Sequence, residues 1–251
     1  MSLLLVTDLD NTLVGDDHGT TRLNQWLSDA REQVYLAYST GRSYGSARHL
    51  MAERSLLEPD YWITAVGTEI YSQKSLDPTW AGQLSTDWDR KAVASIAEGF
   101  KALQRQPEPD QGRWKVSFYL QNLAEAPALE DLQEQLDTAG LSAQVIFSGS
   151  RDVDIVPVAG NKGNATTYLR EHLSIKAEET LVCGDSGNDI SLYQQQERGV
   201  IVGNALPELL SWYKLQGQPH HYLARATYAW GILEGLAYFQ FLHRFQVISE
   251  A

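Results

Sequence analysis

The chain has 251 residues, enough for one domain with an insertion or for two modest domains, and either arrangement buries a real core. With 21% charged and 43% apolar residues, it has the composition of a globular protein rather than of a disordered one. Its formal net charge of −12 argues against a nucleic-acid partner, because such a partner requires a basic face. A phosphorylated substrate would then require local positive charge from a metal ion, a lysine or a helix N-terminus.

Cys183 is the single cysteine of the chain, which excludes an intrachain disulfide and favours a reducing compartment such as the cytoplasm. We expect it in the core, because it falls within a predicted strand. The N-terminus leads directly into an apolar strand, without a basic region or a cleavage site. Since no stretch approaches ~20 consecutive apolar residues, we predict no membrane span.

An apolar run from Leu3 to Val6 predicts a strand that is buried on both faces, as in a parallel sheet. It leads into the sequence Asp8-Leu9-Asp10-Asn11-Thr12. Because side chains alternate along a strand, Asp8 and Asp10 leave on the same side, and two such carboxylates require a cation, a shared proton or both. The carboxyl end of a parallel strand is also where α/β sheets bind ligands. The alternative is that both aspartates only begin a solvated loop.

A second strand–turn–helix unit follows a predicted helix over residues 21–30. Its strand, over residues 33–39, ends at Thr40-Gly41-Arg42, and its helix covers residues 43–54. The Thr40 hydroxyl, the accessible Gly41 backbone and the free N–H groups of the helix suit an anion, although an ordinary N-cap is the alternative. A third strand over residues 61–66 is followed by Glu69, which is either a surface charge or an acceptor for a sugar hydroxyl.

From about Leu76 the pattern changes to an α-β-α-β-β order. The predicted elements are a helix over residues 87–103, a strand over 114–120, a helix over 128–139 and strands over 143–147 and 152–156. Apolar residues occupy one face of the strand at 114–120, which is typical of an antiparallel strand with one covered face. We therefore predict an inserted α+β cap domain over residues 81–156, and an α/β core domain with a Rossmann-like parallel sheet over residues 1–80 and 157–251.

The parallel pattern then resumes with a helix over residues 161–173, and Lys162 lies at its start. A cation is disfavoured at the positive end of a helix dipole, so Lys162 indicates a nearby anion, unless the side chain simply points into water. The next strand, over residues 180–184, is followed by Asp185-Ser186-Gly187-Asn188-Asp189. Asp185 and Asp189 lie about one helical turn apart and supply hard oxygen ligands that suit Mg²⁺.

The end of the chain carries a last core strand over residues 199–202 and a helix that begins near Pro207, a favoured position for proline. His220 and His221 are adjacent, but no other residue lies at a spacing that would complete a metal site with them. We expect a solvated loop at these two histidines.

Four motifs, each after a predicted strand, resemble those of the haloacid dehalogenase-like phosphohydrolases over nearly the whole chain. They are Asp8-Leu9-Asp10-Asn11-Thr12, Ser39-Thr40-Gly41-Arg42, Lys162, and Gly184-Asp185-Ser186-Gly187-Asn188-Asp189. The insertion between the second and third motifs resembles the larger α/β (C2B) cap of that superfamily. The stretches at residues 40–44, 58–71 and 161–166 are similar to the sucrose-phosphate phosphatases, and the last two carry most of this likeness.

The resemblance implies a Mg²⁺-dependent phosphatase that makes sucrose from sucrose 6-phosphate through an aspartyl-phosphate. It implies that Asp8 is the nucleophile and Asp10 the general acid and base. The implied phosphate-binding residues are Thr40, Gly41 and Lys162. The implied Mg²⁺ ligands are Asp8, the Asp10 carbonyl and Asp185, supported by Ser186, Asn188 and Asp189. The implied substrate contacts are Arg42, Thr68, Glu69, Lys115, Tyr119, Asp152 and Asn164.

Two alternatives stay open. The same chemistry could act on trehalose 6-phosphate, glucosylglycerol phosphate or mannosylglycerate phosphate, because cap side chains decide the substrate. A non-catalytic sugar-phosphate binding module is the other alternative, although such a module would have no use for a nucleophile beside an acid–base group. Sucrose-phosphate synthase is a candidate partner, and the absence of a spare amphipathic stripe favours a monomer.

Overall fold

An eight-stranded sheet forms the centre of the molecule in the computed structural model, which describes residues 2–245. Its strands, in spatial order, are β12 (His221–Leu223), β11 (Arg198–Ile201), β10 (Thr180–Gly184), β1 (Leu3–Thr7), β2 (Val34–Ser39), β3 (Tyr61–Thr64), β4 (Glu69–Ser72) and β5 (Ser75–Leu76). The strands from β12 to β3 are parallel to their neighbours, and β4 and β5 extend one edge in antiparallel pairing. The predicted α/β class with a parallel sheet is confirmed.

Helices cover both faces of this sheet, which explains why β1 is apolar without a polar break. One face packs against α1 (Asp17–Asp29), α2 (Tyr44–Glu53), α9 (Tyr228–Tyr238) and α10 (Phe241–Arg244). The other packs against α3 (Pro78–Ser85), α6 (Lys162–His172), α7 (Ile190–Tyr193) and α8 (Pro207–Gln216). Leu3 and Leu5 belong to the first layer, whereas Leu4 and Val6 belong to the second, as alternation along a strand requires.

A second, antiparallel sheet with its own apolar core is inserted after α3. Its strands, in spatial order, are β6 (Leu103–Arg105), β7 (Val116–Leu120), β9 (Asp152–Pro157) and β8 (Ala143–Ser148). Two helices, α4 (Arg90–Ala97) and α5 (Ala128–Thr138), cover one face through Val93, Leu132 and Leu136. The opposite face of this sheet points toward the main sheet, and even its polar residues Lys115 and Ser117 are buried.

Two local predictions were wrong, and one helix was not predicted. The predicted helix over residues 87–103 ends at Ala97, because Gly99 follows it and Leu103 pairs with Leu120 in β6. Helix α3 was missed, although Asp77 caps it through the N–H groups of Thr79 and Trp80, with proline at its first position.

The second wrong prediction concerns the two adjacent histidines. The predicted solvated loop is in part the edge strand β12, where the side chain of His221 is buried against Tyr193 and Trp212. Cys183 is fully buried in β10, as expected. Within residues 2–245 no helix is both long enough and apolar enough to cross a membrane.

Candidate active site

A cavity of about 350 Å³ lies where the carboxyl ends of the parallel strands meet the polar face of the second sheet. The residues from the main-sheet side are Asp8, Asp10, Asn11, Thr40, Gly41, Arg42, Ser43, Asp185, Ser186, Asn188 and Leu206. The residues from the second-sheet side are Gln106, Asp110, Lys115, Tyr119, Ser148, Gly149, Asp152 and Asp154. The predicted motifs therefore converge, because β1, β2 and β10 are adjacent and end at the same edge.

The hairpin between β8 and β9 closes one side of this cavity against the main-sheet domain. The Gly149 N–H donates to Glu208 Oε1 at 2.9 Å. Gly187 passes so close to the hairpin that a Cβ there would lie 2.1 Å from the Phe147 carbonyl oxygen. Glycine is therefore required at position 187 for this close approach.

Three buried aspartates form an acidic cluster at the floor of the cavity. Carboxylate oxygens of Asp8, Asp185 and Asp189 lie within 4.8 Å of one another, and each residue is at most 5% exposed. The Asp8 N–H donates to the Cys183 carbonyl at 2.9 Å, which sets the end of β1 beside the end of β10. Asp189 returns to this point from the following turn, where its Oδ2 accepts from the N–H groups of Asp185 and Ser186 at 2.9 and 3.0 Å.

Lys162 places its ammonium against two members of this cluster. Its Nζ lies 2.7 Å from Asp8 Oδ1 and 2.7 Å from Asp189 Oδ1, and the residue is fully buried. The alternative that Lys162 points into water is therefore wrong. Helix α6 begins here because Asn161 Oδ1 accepts from the Asn164 N–H at 2.8 Å. The two carboxylates supply the negative charge that a cation at a helix start requires.

The charges of the cluster do not balance. The cluster holds three carboxylates and one ammonium, which contacts two of them, so full ionisation would leave an excess of two negative charges in a buried site. Burial, opposed by Lys162, raises the pKa of Asp8 well above its ordinary value. Burial and the nearby Asp189 charge raise the pKa of Asp185 to about 7. These crowded carboxylates resist ionisation when no cation is near, and their hard oxygen atoms are the ligands that a divalent cation prefers. The three aspartates therefore suit a divalent cation such as Mg²⁺.

Asp10 has a different environment from Asp8, although only Leu9 separates them. Arg42 Nε donates to Asp10 Oδ2 at 2.6 Å, and Arg42 Nη2 donates to Asp10 Oδ1 at 2.7 Å. Both side chains are partly exposed, at 36% for Arg42 and 43% for Asp10. Both also line the cavity. This fork-to-fork pair was not predicted, because no sequence spacing connects the two motifs.

The segment at the end of β2 that was predicted to bind an anion forms a backbone turn at the cavity wall. Thr40 is 1% exposed, and its Oγ1 accepts from the Arg42 N–H at 3.2 Å. A Cβ at Gly41 would lie 3.5 Å from Asn188 Nδ2, so the glycine backbone faces the residues that follow β10. The turn after β2 and the turn after β10 thus form one continuous wall of the cavity.

Polar pairs line the second-sheet wall of the cavity. Lys115 Nζ donates to Asp154 Oδ1 at 2.9 Å and to Ser117 Oγ at 2.6 Å. Gln106 Nε2 donates to Asp152 Oδ1 at 3.0 Å. The ring of Tyr119, the last predicted contact on this wall, lies 4.0 Å from the Arg151 guanidinium.

Sequence reasoning missed Gln106, Asp110, Ser117, Ser148 and Asp154 in this region. The two-residue alternation of β7 and β9 places Ser117 beside Lys115 and Asp154 beside Asp152, so this signal could have found both. Gln106 and Asp110 come from an irregular segment that carries no such signal.

Three predicted substrate contacts, Thr68, Glu69 and Asn164, are not among the residues that line this cavity. Thr68 Oγ1 donates to the Ala65 carbonyl at 2.9 Å and is buried. Glu69 accepts from the hydroxyls of Thr64 and Tyr71 at 3.1 and 3.3 Å. Asn164 Nδ2 donates to the Ala159 carbonyl at 3.2 Å. Their roles in substrate binding stay predictions.

Known proteins resemble the chain over most of its length. The model of the sucrose-6F-phosphate phosphohydrolase family matches residues 1–240. A sucrose-phosphatase from Synechocystis sp. PCC6803, solved in complex with sucrose and phosphate, is 50% identical and superposes with a TM-score of 0.94 over 96% of this chain and 99% of that one. A haloacid dehalogenase-like hydrolase from Bacillus subtilis, 18% identical over 94% of this chain and 91% of its own, shares the fold with a TM-score of 0.66.

Two relatives differ in how much of their own length they share with this chain. Sucrose-phosphatase 1 of Nicotiana tabacum is 37% identical over 94% of this chain, and the chain spans 59% of that relative. Mannosylfructose-phosphate phosphatase of Agrobacterium fabrum is 36% identical over 93% of this chain and 95% of its own length. The family match and these identities extend over both sheets and the cavity between them. The chain belongs to the sucrose-6F-phosphate phosphohydrolase family.

Proposed function

We propose that this protein is a Mg²⁺-dependent phosphatase that hydrolyses sucrose 6-phosphate to sucrose and phosphate. The observation that carries the proposal is the position of Asp8, which faces the cavity from a buried acidic cluster with Asp10 beside it. The Synechocystis sucrose-phosphatase, which was solved with sucrose and phosphate, supports the substrate because half of its residues are identical to those of this chain.

The proposed chemistry is a double displacement at phosphorus. Asp8 attacks the phosphorus atom, the bond from phosphorus to the sugar oxygen breaks, and Asp10 gives a proton to that oxygen. Water then attacks the aspartyl-phosphate, Asp10 takes one of its protons, and phosphate is released with Asp8 restored. Mg²⁺ would be held by Asp8, the Asp10 carbonyl and Asp185, with Ser186, Asn188 and Asp189 in support. Once bound, it would offset the negative charge between nucleophile and phosphate.

The phosphate in this proposal lies against the turn after β2. Thr40 and the Gly41 backbone bind its oxygens, and Lys162 offsets its charge from beneath Asp8. Lys162 is fully buried and touches the Asp8 carboxylate at 2.7 Å, which supports a second role for it in holding the nucleophile.

We propose a cap domain that ends at residue 156, as predicted, but begins after α3 rather than at residue 81, because Trp80 and Leu84 of that helix pack in the main-sheet core. The rest of the described chain forms the core domain. Support comes from the two sheets, which have separate apolar cores. In this proposal the cap binds the sugar and selects it through side chains that line the cavity. They are Lys115, Tyr119 and Asp152, together with Gln106, Asp110 and Asp154. Closed over the site, the cap excludes water.

The deciding experiment measures phosphate release from sucrose 6-phosphate, trehalose 6-phosphate and glucose 6-phosphate, with Mg²⁺ and then with excess chelator. We expect Mg²⁺-dependent release from sucrose 6-phosphate and little from the other two. The variant Asp8→Asn is expected to abolish turnover, whereas Asp29→Asn, at an exposed position of α1, is the matched control. Turnover by Asp8→Asn at the wild-type rate would refute the nucleophile assignment.

A second candidate substrate is mannosylfructose phosphate, favoured by the Agrobacterium relative that the chain matches over 95% of its length. Including it in the assay separates an error in the sugar from an error in the chemistry. Preference for it over sucrose 6-phosphate would keep Asp8 as the nucleophile and change the role of the second-sheet wall. Saturable binding of sugar phosphates without release of phosphate would instead favour a binding module.

A further inference from the structure

We propose that Arg42 is a positioning residue that acts on the reaction through Asp10, rather than a contact for the sugar; this rests on the proposed phosphatase function. Arg42 and Asp10 come from different strand ends, yet two N–H···O hydrogen bonds of 2.6 and 2.7 Å join them. Two parallel bonds from a planar guanidinium fix both the position and the rotation of a carboxylate, which a single point charge does not.

Asp10 depends on Arg42 for its orientation. Among the hydrogen bonds between residues 2 and 245, its carboxylate oxygens accept from Arg42 alone. Its side chain is 43% exposed, so packing does not hold it. The backbone beyond it turns through Asn11 with a φ of 59°, away from the extended geometry of β1. Without Arg42, the carboxylate would be free to rotate in the cavity.

Arg42 is itself fixed from three directions. Its N–H donates to Thr40 Oγ1, and its carbonyl accepts from the Ala65 N–H at 2.8 Å. Its Nη1 donates to Ser46 Oγ on α2 at 3.1 Å. A rigid backbone and a tethered guanidinium are the features expected of a group that positions a neighbour. They differ from those of a long, free side chain that reaches for a ligand.

The two aspartates of the first motif, Asp8 and Asp10, form ion pairs with different basic residues. Lys162 pairs with Asp8 from inside the protein, and Arg42 pairs with Asp10 at the cavity surface. Asp8 and Asp10 therefore pair with different cations, although Lys162 also pairs with Asp189. In the proposed reaction this separation keeps Asp8 aimed at phosphorus and Asp10 aimed at the departing oxygen.

The test is a double-mutant cycle with Arg42→Lys, Asp10→Asn and the double variant. Asp10→Asn is expected to lower kcat/KM for sucrose 6-phosphate by ~10²–10⁴-fold through loss of acid–base catalysis. Arg42→Lys is expected to lower it by about 10–100-fold, mostly in kcat, because a misplaced catalytic group costs on that order. In the Asp10→Asn background the same Arg42→Lys change is expected to cost less than about 3-fold, because the group it positions is gone.

The matched control is Arg31→Lys. Arg31 forms a fork-to-fork pair with Asp60, with two bonds of 2.6 Å and similar exposure, but neither residue lines the cavity. The Arg31→Lys variant is expected to have the same kcat/KM as the wild-type protein. A loss as large as that of Arg42→Lys would show that a bidentate pair matters only for folding, and would overturn the proposal.

A leaving-group comparison makes the test independent of the sugar. Phenyl phosphate releases a poor leaving group that requires a proton, whereas p-nitrophenyl phosphate releases a good one that does not. Arg42→Lys is expected to lower kcat/KM for phenyl phosphate and to change it by less than about 3-fold for p-nitrophenyl phosphate.

Three outcomes would overturn the positioning role. In the first, the losses of kcat/KM in Arg42→Lys and Asp10→Asn multiply fully in the double variant. In the second, Arg42→Lys lowers kcat/KM equally for both aryl phosphates. In the third, Arg42→Lys raises KM and leaves kcat unchanged. Failure of the proposed substrate is distinguishable, because wild-type protein that hydrolyses aryl phosphates but no sugar phosphate still allows the cycle. Protein without phosphatase activity on any of these esters would overturn both proposals.

Discussion

The buried ammonium of Lys162 lies between two carboxylates, and its removal is the most informative perturbation of the site. The variant Lys162→Met keeps most of the side-chain volume and removes the charge, leaving Asp8 and Asp189 without the partner that lies 2.7 Å from each. Removing one partner of a buried ion pair costs about 3–5 kcal/mol, because the remaining charge is desolvated and unpaired. For a protein of this size that loss lowers Tm by roughly 6–20 °C.

The assay is thermal and urea unfolding of the chelator-treated protein, followed by tryptophan fluorescence, at about pH 8 and about pH 5. The loss is expected to be larger at the higher pH, because the orphaned carboxylates ionise there, whereas at the lower pH they regain protons. Lys115→Met is the control, since Lys115 pairs with one carboxylate, Asp154, and is expected to cost less. A loss below about 1 kcal/mol for Lys162→Met would refute the account, since it would place the pair in the range of exposed salt bridges.

Three further predictions concern metal binding, acid stability and backbone packing. The pKa of Asp185 is about 7 in the folded protein against an ordinary 3.8, so its contribution to stability is lost as pH rises through that window. Mg²⁺ is therefore expected to raise Tm at about pH 8 and to change it little at about pH 5. Equal Tm shifts at the two pH values would contradict this. Burial and the neighbouring His220 lower the pKa of His221 from 6.5 to about 4, so the stability of the folded protein falls as pH drops from 6.5 to 4. His221→Gln is expected to flatten the dependence of Tm on pH in this range. The control variant His18→Gln, at an exposed position, is expected to leave that dependence unchanged. Gly163→Ala is expected to lower Tm by several degrees, because a Cβ at this position would lie 1.9 Å from the Ser191 carbonyl oxygen. Gly45→Ala, where no atom lies within 4 Å of the added Cβ, is expected to be neutral or to stabilise the protein by up to about 1 kcal/mol. Equal Tm changes in the two variants would contradict this.

The order of the elements was largely predictable, because the local patterns are strong where both faces of a strand are buried. The run from Leu3 to Val6 has no polar break and forms the centre of the main sheet. Prediction failed where a local pattern competes with a distant partner. The spacing that favoured helix up to Leu103 was overridden by pairing with Leu120, which lies 17 positions later in the chain.

Motif order also brought the main-sheet half of the site within reach of prediction. Asp8, Thr40 and Asp185 each follow a parallel strand, and such strands end at one edge, so their convergence follows from topology. The second-sheet half was less accessible, because a residue such as Gln106 reaches the cavity from a segment without periodicity.

The fold class, the acidic residues and their order along the chain could be predicted, because they depend on local periodicity and on which residue ends each strand. The pairing of the charges could not be predicted, because it depends on how the folded chain brings distant residues together. The tertiary structure buries Lys162 between Asp8 and Asp189, and it joins Arg42 to Asp10 across two strand ends. Ion pairs between residues 32 and 154 positions apart leave no local signal, since their geometry exists only when the sheet has formed.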